Sequence, residues 1–428
     1  MATDRSSARG AGRAGGLPPA QPARRDFLAR AAASALGARL GVAWVGTFGG
    51  TLSAAAGGMV GAGLVMPGLS QAAASTGDAA LYVTARQRGG RDEAVVLDAS
   101  GQDQRVLPMP ARGHSFAIDP AGERAVVFGR QPGFFALGFD LRGERAPVEL
   151  PLPDDRHFFG HGAYFDDARL LAATENDFDG GRGVLGIYDA TPGGHYRRVG
   201  EFDCGGIGPH EVVLMPDGKT LCVANGGILT HPDYGKLELN LDTMRPSLAY
   251  IDAASGRLLE RVELAPELHR LSIRHLALAA DGSVWFGCQY MGPAGDRPAL
   301  VGRHRRGAAL ELFAGPAQAL RDMRNYVGSV TVDAAGKVVA TSSPVGGQVL
   351  YWDADSGRSL GLTRLADGCG VAPAHEAGFL ISSGLGAMLR TDAAGAEHPL
   401  LPPSRERAWD NHMRKVAGAT RGSNPYKA

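Results

Sequence analysis

The chain's architecture is written most plainly in residues 206–232, GIGPHEVVLMPDGKTLCVANGGILTHP. An apolar run (212–215) meets a Pro-Asp-Gly turn at 216–218, and a second apolar run (221–224) follows. This is the pattern of a β-hairpin, with Gly218 supplying the positive φ that a tight connection needs. His210 opens the first strand and Asn225 closes the second. In an antiparallel pair the start of one strand lies beside the end of the next, so these two residues are expected at the same end of the sheet.

The same pattern recurs along the chain. His114-Ser-Phe-Ala-Ile-Asp-Pro-Ala-Gly leads through 125–128 to Arg130, and His161-Gly-Ala-Tyr-Phe-Asp-Asp leads through 170–173 to Glu175. His275-Leu-Ala-Leu-Ala-Ala-Asp-Gly leads to Gln289, and Ser329-Val-Thr-Val-Asp-Ala-Ala-Gly leads to Ser343. A weaker sixth copy runs from Gly370 to Ser383. Spacings of roughly 40–65 residues are those of propellers and solenoids. Many short strands, repeated hairpins and no long helical pattern restrict the fold to all-β. The repeat length then selects a seven-bladed β-propeller, with six or eight blades as alternatives. The first strands (81–84, 94–97) and the last segment (387 onward) are expected to share the closing blade. Short helices are expected at 316–326 and 404–416.

In such a ring each copy's first strand is innermost and begins on one face of the central channel. His114, His161, His210 and His275 therefore become a ring around the axis, and His412, in Trp409-Asp-Asn-His, comes from near the chain end to the same face. Imidazole is the commonest side-chain metal ligand in oxidising compartments. The five histidines are expected to bind a transition metal, iron or copper, with Glu175 as a nearby carboxylate. A structural ring of hydrogen bonds and acid–base chemistry on a substrate are the alternatives. Glu211, directly after His210, is a second carboxylate for orienting a ligating imidazole, while His157 and His231 are secondary candidates. Arg112, Arg156 and Arg274, with the strand-end amides Asn225 and Gln289, suggest a pocket for an anionic ligand such as a carboxylate-bearing chelate. The same arginines also offer Glu175 a salt bridge. The long insertion at 230–247 leaves the histidine face, so His231, Lys236, Asn240 and Asp242 are expected to cover the channel mouth.

Residues 1–74 are set apart by composition. An Ala/Gly/Pro/Arg-rich start leads to Arg24-Arg25-Asp26-Phe27-Leu28 and then to a mildly apolar Ala/Gly-rich region. This reads as a twin-arginine export signal, cleaved near Ala72-Ala73-Ala74, with a transmembrane anchor at 42–69 as the alternative. The expected destination is the periplasm, with no membrane insertion after cleavage. Residues 75–428 form a single propeller domain. A formal net charge of +0 makes no case for nucleic acid. Four scattered cysteines make no disulfide framework and read as small core hydrophobes. A serine nucleophile elbow, a phosphate-binding glycine loop and a zincin motif are absent from the sequence.

Several motifs together, Arg112-Gly-His, Arg156-His-Phe-Phe-Gly-His-Gly, Thr174-Glu-Asn-Asp, Gly206-Ile-Gly-Pro-His-Glu, Val223-Ala-Asn-Gly-Gly-Ile-Leu-Thr-His-Pro and Ser272-Ile-Arg-His-Leu, give the chain a family likeness. It resembles an uncharacterised family of twin-arginine-exported bacterial proteins with a domain of unknown function and a propeller-like fold. Genes of that family often lie beside those for imelysin-type periplasmic iron-uptake proteins and di-haem oxidases. The resemblance implies a periplasmic location and iron-uptake proteins as partners, but no established activity. From the residues alone the leading reading is a metal-binding propeller serving acquisition or transfer. A metal-dependent oxidoreductase or hydrolase using the same pocket, and a protein-interaction platform, are the alternatives.

Overall fold

The hairpin of residues 206–232 forms as strands Pro209–Leu214 and Thr220–Asn225. Gly218 sits at φ 65° in the turn, and Pro209 pairs with Asn225, so both strand ends lie at one end of the sheet. The computed structural model describes residues 80–416 except 132, 236, 375, 376, 393 and 394. The region assigned to the export signal, and Lys236 of the insertion, lie outside the described residues.

Two further strands join each hairpin, and the result is seven four-stranded antiparallel sheets. Blades 1 to 6 each take four consecutive strands. Their inner strands are Gly113–Ile118, Arg156–Phe165, Pro209–Leu214, Leu271–Leu278, Ser329–Val332 and Gly368–Pro373. Blade 7 takes three strands from the start of the described chain, Leu81–Arg88, Arg91–Asp98 and Asp103–Pro108, and its inner strand, Arg407–Lys415, from the end. Each inner strand packs on the next, and Arg407–Lys415 touches the inner strands of blades 6 and 1, so the ring is closed. The protein is a seven-bladed β-propeller.

Two expectations about the tail change. Residues 388–401 complete blade 6, and the closing strand is the 407–415 segment expected to be helical. Residues 404–416 are polar enough to suggest a solvated surface helix. As an inner strand, however, Trp409–Met413 is buried from both sides. The other expected helix is present as α1, Ala317–Asp322.

Second strands such as Thr220–Asn225 and Leu170–Asp177 are buried along nearly their whole length, because a neighbouring blade covers each face. The cores therefore lie between blades. Trp285 and Trp352, both fully buried, pack in one cluster with Tyr250 and Leu276 across blades 3, 4 and 5. Outer strands such as Arg197–Asp203 are largely exposed and charged, which protects the edge from pairing with other chains.

Candidate metal centre

A break in pairing aims the histidines at the axis. In blades 1 to 4 and 7 the register between inner and second strands slips at or directly beside the histidine: at 113–116, 158–162, 209–211, 273–275 and, opposite Thr84–Arg86, at 409–413. A β-bulge bends the strand and re-aims the local side chain. Blade 5, whose equivalent residue is Ser329, pairs without a slip. The freed carbonyls find partners. Thr174 Oγ1 donates to the carbonyls of His161 (3.1 Å) and His210 (3.3 Å), and Thr84 Oγ1 donates to that of His412 (2.8 Å).

Five imidazoles meet as a result. Around the axis, ring centroids of His114, His161, His210, His275 and His412 are separated in turn by 5.0, 4.9, 4.6 and 4.7 Å, and His412 lies 4.6 Å from His114. All five are buried. Two trios share His161: with His114 and His412, and with His210 and His275. In each trio one ring nitrogen per residue lies within 4.8 Å of the others. Three nitrogens bound to one ion at about 2.1 Å lie about 3.4–3.6 Å apart, so closure on one ion takes a shift of up to about 0.7–0.8 Å in each ring nitrogen.

Each of the five keeps a buried ring nitrogen with no hydrogen-bond partner: Nδ1 of His114, His210 and His275, and Nε2 of His161 and His412. A buried polar atom left unpaired costs about 1–3 kcal/mol; of these five, Nδ1 of His114 faces the Asp410 carboxylate at 3.9 Å and Nδ1 of His275 faces that of Glu211. The opposite nitrogens are partly anchored. His412 Nδ1 meets Ser329 Oγ at 3.4 Å, and His161 Nδ1 lies 3.6 Å from Glu211 Oε1. Glu211 Oε2 is also 3.4 Å from His275 Nδ1, close enough for attraction but not aligned as a hydrogen bond. Burial pushes every one of these imidazoles below its ordinary pKa, to about 3 for His161 and about 4 for His275. They are neutral at physiological pH, the form that binds metals.

Two carboxylates flank the ring. Glu211 pairs with Arg414 and accepts the N–H of Leu276 at 3.1 Å. Burial opposes its ionisation, but Arg414 and His161 hold its carboxyl well below the usual range. Asp410 binds Arg112, meets Arg130 at 3.3 Å and lies 3.9 Å from His114 Nδ1. Burial again works against ionisation, and His114, Arg112 and Arg130 bring its pKa down to about 2.

The remaining candidates divide. Glu175 stands apart from the ring: its two oxygens accept from the Tyr188 hydroxyl (2.6 Å) and Arg198 (2.9 Å) inside blade 2. Its salt bridge is thus to Arg198, not to Arg112, Arg156 or Arg274. Arg156 is held by Asp155, Asp177 and Glu201. Asn225 Nδ2 donates to the Cys204 carbonyl (2.9 Å) and braces blade 3. His157 Nδ1 meets the Phe158 carbonyl and its Nε2 the Asn176 amide, both at 3.0 Å, so its ring is fully used. His231 caps its own 3-10 turn, and Asp242 pairs with Arg270. Asn240 pins the insertion by accepting from Leu229 N–H and donating to the Gly227 carbonyl. Arg274 and Gln289 line a cavity of about 260 Å³ over the ring, with His114, His210 and His275 at its floor and Thr230 and Glu238 of the insertion in its wall. A second cavity, of about 360 Å³, is lined by Glu211, Arg414 and inner-strand residues beyond the histidines. The four cysteines are free and buried, and no helix among the described residues is long and apolar enough to cross a membrane.

Fold and site together define a propeller whose axial channel carries a buried cluster of five histidines. The fold is shared with solved propellers of low sequence similarity. Hydrazine synthase of Kuenenia stuttgartiensis has a TM-score of 0.53 at 14% identity, covering 79% of this chain and 100% of that one. The periplasmic gluconolactonase PpgL of Pseudomonas aeruginosa has a TM-score of 0.55 at 15% identity, covering 79% and 99%. No curated protein sequence matches the chain. A family model does match, over residues 107–416, and the chain belongs to that family, described as "Protein of unknown function (DUF1513)".

Proposed function

We propose that the protein is a periplasmic metal-binding propeller whose histidine ring holds one transition-metal ion, iron or copper, for acquisition or transfer. The carrying observation is the convergence of five buried, neutral imidazoles, each with an unpartnered nitrogen. Such a donor set suits a borderline transition metal, since no thiolate takes part and imidazole serves iron, copper and zinc alike. His161 and His210 are the central ligands. Glu211, not Glu175, is the carboxylate that sets the tautomer of the imidazoles beside it. The gluconolactonase is a periplasmic protein, which is in keeping with the location read from Arg24 and Arg25. The cavity over the ring supports a second reading, an enzyme acting on a ligand seated against the ion.

Metal analysis of protein purified from its native compartment, with binding isotherms for iron, copper and zinc, tests the ring. About one equivalent is expected in the wild type. The double substitution His161→Ala with His210→Ala is expected to lose most of that binding while the metal-free protein stays folded. No binding of any of the three metals by the wild type, or an unchanged isotherm in the variant, rules the reading out. Location has its own test: replacing Arg24 and Arg25 with Lys should strand the precursor in the cytoplasm, and normal periplasmic yield would refute twin-arginine export.

A further inference from the structure

The cavity over the ring carries an excess of positive charge that the metal reading does not use. Arg274 lines it with no carboxylate in ion-pair range among the described residues, and its buried Nε has no hydrogen-bond partner. Burial lowers its pKa, and Tyr326 and Glu238 oppose that shift only in part. Arg130, also in the lining, shares the single carboxylate of Asp410 with Arg112. In the lining itself two guanidiniums (Arg130, Arg274) face one carboxylate (Glu238). A desolvated cation without a counter-ion is costly, and a bound anion relieves that cost.

The neutral groups of the lining are also poised to donate. Ser272 Oγ is fully buried and unpartnered. The Tyr326 hydroxyl accepts from Asn411 at 3.2 Å, which leaves its own proton free to donate. Phe159 and Ile228 supply apolar wall. A cavity of about 260 Å³ is below the ~300–1,000 Å³ of sites for drug-sized ligands. Separated guanidinium forks that each match a carboxylate, hydroxyl donors and an apolar wall describe a small organic polycarboxylate better than an inorganic oxyanion.

We propose that this chamber binds a small polycarboxylate, clamped by Arg274 and Arg130, and does so whether or not the ring below holds a metal ion. The site goes beyond the ring reading, and the two fail separately because the test uses metal-free protein. Citrate is the probe, titrated calorimetrically and by thermal shift into wild type, Arg274→Gln and Arg130→Gln, with tricarballylate and inorganic phosphate as comparisons. The expected result is saturable citrate binding that weakens at least tenfold in Arg274→Gln. Tricarballylate, with the same three carboxylates and no hydroxyl, should bind within a few-fold of citrate, and phosphate at least tenfold more weakly. Should Arg274→Gln not melt cooperatively, Arg130→Gln carries the comparison with the same expected loss. The proposal is overturned if folded wild type shows neither heat nor thermal shift with millimolar citrate. It is equally overturned if citrate affinity is unchanged in the folded variants, or if phosphate binds as tightly as citrate.

Discussion

Glu175, Glu201 and Glu211 are carboxylates of neighbouring blades with three separate tasks. Glu211 reaches the axis and braces two imidazoles, while Glu175 turns back into blade 2 to meet Tyr188 and Arg198. Glu201 gathers Arg156, Arg182 and Arg198 at distances from 2.6 to 3.3 Å. Burial raises the pKa of Glu201, but the three guanidiniums outweigh it and bring it down to about 2. A carboxyl whose folded pKa lies below its unfolded value of about 4.3 adds stability above that value. The contribution is lost as pH falls through 4 towards 2. Glu201→Gln should thus destabilise the protein at pH 7 by about 1–3 kcal/mol, after allowance for solvent screening of a partly exposed network. The difference from wild type should shrink as pH drops from 5 to 2. Urea unfolding across that range measures it, and a difference independent of pH would contradict the assignment.

The inner strand is an element whose irregularity places the site, and Gly160 shows how tightly. It sits at φ 101° inside the blade 2 slip, and a Cβ built on it would lie 2.5 Å from the Cδ2 atom of the His114 ring. Gly160→Ala has to strain the backbone and push the His114 ring aside, at a cost of about 1–3 kcal/mol. Loss of stability in urea together with weaker metal binding is expected, and a variant matching wild type in both would show that the slip does not set the ring. Such slips also mark where sequence reading stops. The repeat of His114, His161, His210 and His275 at one hairpin position announced both the propeller and the ring, because period and turn chemistry are local. The choice between Glu175 and Glu211 was not legible, since a register shift of one residue exchanges the two faces of a strand, and a strand glycine such as Gly160 can flag a bulge without telling which carboxylate it turns to the axis. Arg414 and Asp410 went unrecognised for a different reason: their partners are 203 and 298 residues away. The motif residues Arg156 and Asn225 are engaged within the blades, Arg156 with Asp177 and Asn225 with the Cys204 carbonyl.

At the scale of the whole molecule, seven blades with hydrophobic seams are held shut by one shared sheet. Leu81–Arg88 pairs with Arg407–Lys415, Val416 N–H reaches the Leu81 carbonyl at 2.8 Å, and Thr84 grips the backbone of His412. This pairing joins strands more than 300 residues apart, the kind of long-range contact that slows folding. It also delivers the fifth imidazole, which gives the ring a place in time. At about 5–20 residues per second, His412 leaves the ribosome roughly 7–27 s after His275. For that interval the nascent chain carries four of its imidazoles on an open arc, without Asp410, Arg414 or the closing strand. The ring of five is therefore completed only when the last blade closes, in the same step that shuts the propeller.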